Sequence, residues 1–142
     1  MKESARIKWL NNMAFDVELN GHHFTIDADP RVGGENQGPK PKGLLLTSLA
    51  GCTGMDVVSI LKKMKIRDYQ LEIKIKGELT EEHPRIYHTI NLDFIFTGDN
   101  LLTDKIKRAI ELSETRYCGV SEMLRKSSKI KTKIFLNGEN IE

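Results

Sequence analysis

Between Leu44 and Lys65 the chain has a helical pattern, with apolar and small residues on nearly every side as far as Leu61. A helix with so little polar face has to be covered by the rest of the chain, so it is expected to be the central, buried helix of the core. This constrains the fold more than any other feature, because 142 residues leave room for one core and little else. A single domain over residues 1–142 is the expectation. The stretch carries Thr47, Ser48, Gly51, Thr53, Gly54, Asp56 and Ser59, which reads as too polar for a lone membrane span. Met1 to Leu10 has no apolar core of signal-peptide length. A cytoplasmic location is therefore expected, where thiols are kept reduced.

The elements around that helix follow from periodicity and turn chemistry. Ala5 to Leu10, Ala14 to Leu19 and His23 to Asp27 read as three short strands, separated by Asn11-Asn12 and by the hairpin dipeptide Asn20-Gly21. A long loop, Asp29 to Gly43, then holds three of the four prolines, and loops of that length tend to be functional or disordered. After the helix come two strands with period-two alternation. Tyr69 to Leu79 places Tyr69, Leu71, Ile73 and Ile75 on one face; Ile86 to Phe96 places Ile86, His88, Ile90, Leu92, Phe94 and Phe96 together. Glu81 to Pro84 turns the chain between them. Asn100 is placed to cap a helix reaching about Arg116, with Leu102, Ile106, Ala109, Ile110 and Ser113 inward. A short helix, Gly119 to Lys126, and a last strand from Ile130 to Leu136 complete the order β-β-β-α-β-β-α-α-β. The class is α+β, an antiparallel sheet backed by helices.

Charge excludes one function class. The 22 basic and 20 acidic residues are interspersed and leave a net charge of +2, without the concentrated basic face that nucleic acid requires. The basic residues of the last third alternate with apolar or small polar ones and read as a solvated face. Two cysteines are too few for a disulfide scaffold or a structural zinc site. His22 and His23 are adjacent on a strand and face opposite sides, and His83 and His88 have no ligand spacing with a cysteine, so no metal site is expected.

The cysteines carry what chemistry the sequence offers. Cys52 lies in the middle of the apolar helix, one turn from Ser48 and one from Asp56. Cys118 stands just before a helix start, where unpaired backbone N–H groups and the helix dipole favour a thiolate, and Arg116 is close enough in sequence to add to that effect. A thiolate is the nucleophile in peroxide reduction. Equally, a free cysteine often serves as a small buried hydrophobe. Asp56 has two readings as well: it could orient the thiol or a water, or it could cap or pair, since a nearby carboxylate disfavours a thiolate.

The stretch Gly38-Pro39-Lys40-Pro41-Lys42-Gly43-Leu44-Leu45-Leu46 through Gly51-Cys52-Thr53-Gly54-Met55-Asp56 resembles the central helix of the OsmC/Ohr family, the osmotically inducible and organic hydroperoxide resistance proteins, and is closest to its less-studied branch. Ser113-Glu114-Thr115-Arg116-Tyr117-Cys118-Gly119-Val120-Ser121 looks like the family's second cysteine site. The order of helix-cysteine, long hairpin, helix and cysteine matches over essentially the whole chain. The resemblance implies an intertwined homodimer with two active sites at its interface and no cofactor. It implies a peroxidase for organic hydroperoxides or hydrogen peroxide. Cys52 would be the peroxidatic thiolate and Cys118 the resolving thiol, reduced afterwards by a dithiol such as a lipoylated protein. Active members also carry a glutamate nearly three helical turns before the first cysteine, where this sequence has Lys42 and Gly43. Glu35 and Lys42 are the residues that could supply a carboxylate and a cation, with Arg116 and Asp56 as further supporting positions. The alternative function is a non-catalytic dimer that keeps the fold and binds a small ligand at the interface. Thiol-dependent hydrolysis ranks last, for want of a base at recognisable spacing.

Overall fold

The asparagine–glycine pairs become turns, because both residues tolerate the left-handed backbone that tight hairpins require. Asn20 and Gly21 have φ of 51° and 78°, and Asn137 and Gly138 have 49° and 85°. A computed structural model describes residues 1–142. The chain forms two compact units, Met1–Leu45 and Leu46–Glu142.

The first unit is a three-stranded antiparallel sheet, β1 (Ala5–Asn11), β2 (Ala14–Leu19) and β3 (His22–Ile26), in that order. The segment after it has structure of its own. Asp27 is only 3% exposed, and its carboxylate accepts the backbone N–H groups of Ala28, Glu35 and Gln37 at 2.7, 3.0 and 3.1 Å. Those bonds, the Glu35 and Gln37 amides foremost, hold its carboxyl below the usual range. Asp29 caps the short 3₁₀ turn Pro30–Val32 and pairs with Arg31 and Lys40 at 3.0 and 2.9 Å. Gly34 passes so close to the strand end that a Cβ there would lie 1.8 Å from the Ala28 carbonyl oxygen. Two aspartates thus organise what the sequence presents as an open loop.

The second unit holds nearly all of α1 (Gly43–Lys63) and a four-stranded sheet in the order β4 (Gln70–Leu79), β5 (Tyr87–Thr97), β6 (Lys129–Leu136), β7 (Glu139–Asn140). The β4–β5 and β6–β7 pairs are antiparallel, whereas β5 and β6 run parallel. Parallel neighbours need a crossover, which α2 (Thr103–Leu112), a π-helical turn (Ser113–Tyr117) and α3 (Gly119–Arg125) supply. Phe94, Phe96, Leu92, Ile106, Ala109 and Ile134 are fully or almost fully buried, and Val57 and Leu61 of α1 pack into the same cluster. Each of these side chains other than that of Ala109 contributes about 1.5–3 kcal/mol on leaving water.

The α+β class and the order of major elements are as the sequence reads, and several details differ. The buried side of α1 is the stripe Leu49, Thr53, Val57, Leu61, with the Thr53 hydroxyl satisfied by the Leu49 carbonyl at 3.0 Å. Its opposite side leaves Met55 76% and Val58 45% exposed in the single chain. By length and apolar content α1 would suffice to cross a membrane. Its completely buried stripe, packed in the same cluster as β5, identifies it as a core helix. Asn100 does not cap α2: Leu102 occupies the N-cap position, without a side-chain bond, and is 48% exposed rather than inward. The helix expected to reach Arg116 ends at Leu112 and widens into the π turn. On β5, burial is complete at Ile90, Leu92, Phe94 and Phe96, while Ile86 and His88 remain exposed.

Candidate thiol site

Leu49 is the buried residue one turn before Thr53 on α1, and its cluster includes Ile90 and Cys118, with Cys52, Ile75, Tyr87, Val120, Leu124 and Ile130 packed around it. The two cysteines therefore share one apolar pocket of the second unit. Both thiols are free. Their sulfurs and a carboxylate oxygen of Asp56 all lie within 4.8 Å of one another. Cys52 and Asp56 reach this point because they are four residues apart and so stand on one side of α1.

Cys118 reaches it through the π turn. Its backbone N–H bonds back five residues to the Ser113 carbonyl at 2.8 Å, the wider ring that defines such a turn. It then becomes the N-cap of α3, where its Sγ accepts the Ser121 N–H at 3.3 Å. Ser113 is fully buried, and its hydroxyl donates to Asp56 Oδ2 at 2.9 Å. One residue thus holds both arms of the site, by its carbonyl on the Cys118 side and by its hydroxyl on the α1 side. Its only signal in the sequence is a hydroxyl at a core position of the helix pattern.

The electrostatics of Cys118 run against the reading drawn from its place before a helix. The thiol is 3% exposed, and burial is the largest influence on it. The hydrogen bond with Cys52 acts in the same direction, the Ser121 N–H opposes it, and the charges of Cys52 and Asp56 add a little more. The net effect pushes the thiol up to about 11 from an ordinary 9.0. One N–H at a helix N-terminus does not offset the loss of solvation when the whole side chain is inside. Cys52 is the more accessible of the pair, being only partly buried.

Of the residues singled out by sequence, Cys52, Cys118 and Asp56 come together. Arg116 does not join them: its guanidinium lies over the Tyr117 ring, 5.6 Å from the centroid, and both residues are exposed. Glu35 Oε1 accepts from Asn12 Nδ2 at 2.9 Å within the first unit. Lys42 is exposed in the turn entering α1. His23, in the same unit as Glu35, is bonded to Asp16 at 2.9 Å. Ala50, Gly51, Gly54, Met55 and Val58 of α1 and Leu71, Ile73 and Ile75 of β4 bound an open, mostly apolar groove of about 830 Å³, which neither cysteine lines.

Residues 34–133 match the family model of the OsmC-like protein, spanning both cysteines and the elements that carry them. The chain belongs to the OsmC-like family. It is 37% identical over 127 residues to protein YhfA of Escherichia coli strain K12, covering 89% of this chain and 92% of the relative. Among solved structures, this OsmC-like chain superposes on a hypothetical protein from Aquifex aeolicus VF5 with a TM-score of 0.85 at 27% identity, over 96% of this chain and 97% of the other. The organic hydroperoxide resistance protein OhrB of Bacillus subtilis shares the fold, with a TM-score of 0.63 at 16% identity, over 96% and 98% of the two chains.

Proposed function

We propose that the chain is a thiol-dependent peroxidase acting on organic hydroperoxides, with hydrogen peroxide as a smaller substrate, in defence against oxidative stress. The observation that carries this reading is the pairing of a partly exposed sulfur with a buried one, both within 4.8 Å of one carboxylate oxygen. The Cys52 thiolate attacks one peroxide oxygen; the O–O bond breaks, and the alkoxide leaves and takes a proton as the alcohol. Cys52 becomes a sulfenic acid. Cys118 then attacks that sulfur and water departs, leaving a disulfide with a sulfur–sulfur bond of about 2.05 Å. A dithiol reductant, such as a lipoylated protein, returns the pair to its reduced form. Burial suits Cys118 to this second role, because a neutral, enclosed thiol does not compete for the peroxide. Asp56, close to both sulfurs, is the group placed to accept the Cys118 proton in the resolving step.

Members of the OsmC-like family are typically dimeric. A second copy of the chain is the covering we infer for the apolar side of α1 that carries Met55 and Val58. The family match runs across residue 45, which supports reading the two units as one OsmC-like domain. A cytoplasmic location fits a pair of thiols that must be returned to the reduced state.

Stopped-flow oxidation of the reduced protein by cumene hydroperoxide, with mass spectrometry of the products, tests the chemistry. Fast disulfide formation in the wild type, sulfenic acid trapped in Cys118→Ser and no reaction in Cys52→Ser is the expected set. Oxidation no faster than that of free cysteine refutes the peroxidase, and leaves a non-catalytic dimer that binds a small apolar ligand.

A further inference from the structure

We propose that Cys52, Cys118 and Asp56 form a binding site for a thiophilic divalent cation of the zinc class, held in place by Ser113. The three donor atoms come from one side of α1 and from the residue that opens α3, and all lie within 4.8 Å of one another. Zinc takes thiolate sulfur at about 2.3 Å and carboxylate oxygen at about 2.0–2.2 Å in a tetrahedron, which sets its donors roughly 3.3–3.8 Å apart. At their widest the donors stand about 1–1.5 Å farther apart than that geometry requires. Two thiolates with one carboxylate suit a borderline-soft ion better than magnesium or calcium. Three protein ligands leave a fourth position for water or an incoming anion. The partial exposure of Cys52 provides the way in.

What separates this arrangement from a bare pair of thiols is the set of bonds behind the ligands. The Ser113 hydroxyl donates to Asp56 Oδ2 at 2.9 Å and so fixes the orientation of the carboxylate. The Ser113 carbonyl holds the Cys118 backbone at 2.8 Å, and the Ser121 N–H is aimed at the Cys118 sulfur at 3.3 Å. Outer hydrogen bonds of this kind orient metal ligands, and their removal typically weakens affinity ten- to a hundredfold. Counting cysteines hides the site, because the third ligand is a carboxylate one helical turn from the first. On binding, the ion replaces the two thiol protons, which leave to solvent, and no group changes oxidation state. An occupied site has no free sulfur to meet a peroxide, so the ion would hold the pair reduced and idle.

The proposal stands on these residues and does not rest on the peroxidase reading, since a chain inert to hydroperoxides would still bind the ion. The test is anaerobic titration of the reduced, full-length protein with Co²⁺, followed by displacement with Zn²⁺. The wild type should take one ion per chain, with thiolate-to-cobalt charge-transfer absorption and the intense visible bands of a tetrahedral site. Cys52→Ser and Cys118→Ser should lose the charge-transfer absorption. Asp56→Asn and Ser113→Ala, checked as folded by circular dichroism, should bind at least tenfold more weakly. Zinc should also raise the Tm of the wild type and leave that of Cys52→Ser unchanged. Absence of charge-transfer absorption, or affinity in Asp56→Asn and Ser113→Ala within twofold of the wild type, overturns the proposal.

Discussion

The protonation of Cys118 can be measured directly. The substitution Cys52→Ala leaves Cys118 as the only cysteine in the chain, so every alkylation event reports on it. In the intact protein the thiol is raised from 9.0 to about 11, chiefly by burial and next by its hydrogen bond with Cys52. Two pH units lower the thiolate population at neutral pH by about a hundredfold relative to an ordinary thiol. Removing Cys52 takes away the second influence and keeps the first, so the midpoint in the variant should fall below 11 and stay above 9. The assay is the rate of iodoacetamide alkylation from about pH 7 to about pH 12, with mass spectrometry to identify the site. Only the thiolate reacts, so the midpoint of the rate profile reports protonation while its alkaline plateau reports access. The slow access expected of a 3% exposed side chain lowers the plateau without moving the midpoint. A midpoint at or below 9 would refute the reasoning, because the Ser121 N–H and the helix terminus would then outweigh desolvation.

The same shift has a thermodynamic counterpart. The folded protein favours the protonated Cys118, so the stability it contributes is fully present below about pH 9 and lost as pH rises through about 11. Between those limits the Tm of the wild type should fall more than that of Cys118→Ala. Phe94 is completely buried in the middle of β5, so Phe94→Ala should cost about 3–5 kcal/mol in urea unfolding; less than about 1 kcal/mol would contradict its place in the core. Gly34→Ala places a methyl group 1.8 Å from the Ala28 carbonyl oxygen, which forces that loop to move. The Glu35 and Gln37 amides, bonded to Asp27 in the wild type, should then lose their protection from hydrogen exchange, and retained protection would show that the loop accommodates the methyl.

What was legible in the sequence was whatever depends on neighbours along the chain. The strong alternation of β4 and β5, the turn chemistry of Asn20-Gly21 and the 3.6-residue pattern around Cys52 each have one dominant local cause, and each is where the sequence puts it. The misses required knowing what lies across space. Nothing in Ile130 to Leu136 says that it pairs parallel to β5, since alternation is the same for either direction. Asn100 has the chemistry of a cap, yet the helix starts three residues later because Leu102 takes that position. For Cys118 the local signal pointed the wrong way: helix-terminal N–H groups are visible in the sequence, while burial is a property of the assembled second unit. Ser113 was legible as a core position, but its bond to Asp56 joins residues 57 apart in the chain.

The crossover between β5 and β6 also dictates when the two sulfurs can meet. Cys118 sits within the connection that joins these parallel neighbours, so its place beside Cys52 depends on contacts between segments distant in the chain. Contacts of such high sequence separation form late, since the entropy of closing the intervening loop must be met first. A nascent chain with α1 already emerged therefore carries one isolated thiol, without its carbonyl anchor or its neighbour. On the proposed mechanism, formation of the internal disulfide becomes a report on completed folding, and oxidant met earlier would leave Cys52 with no partner within the chain.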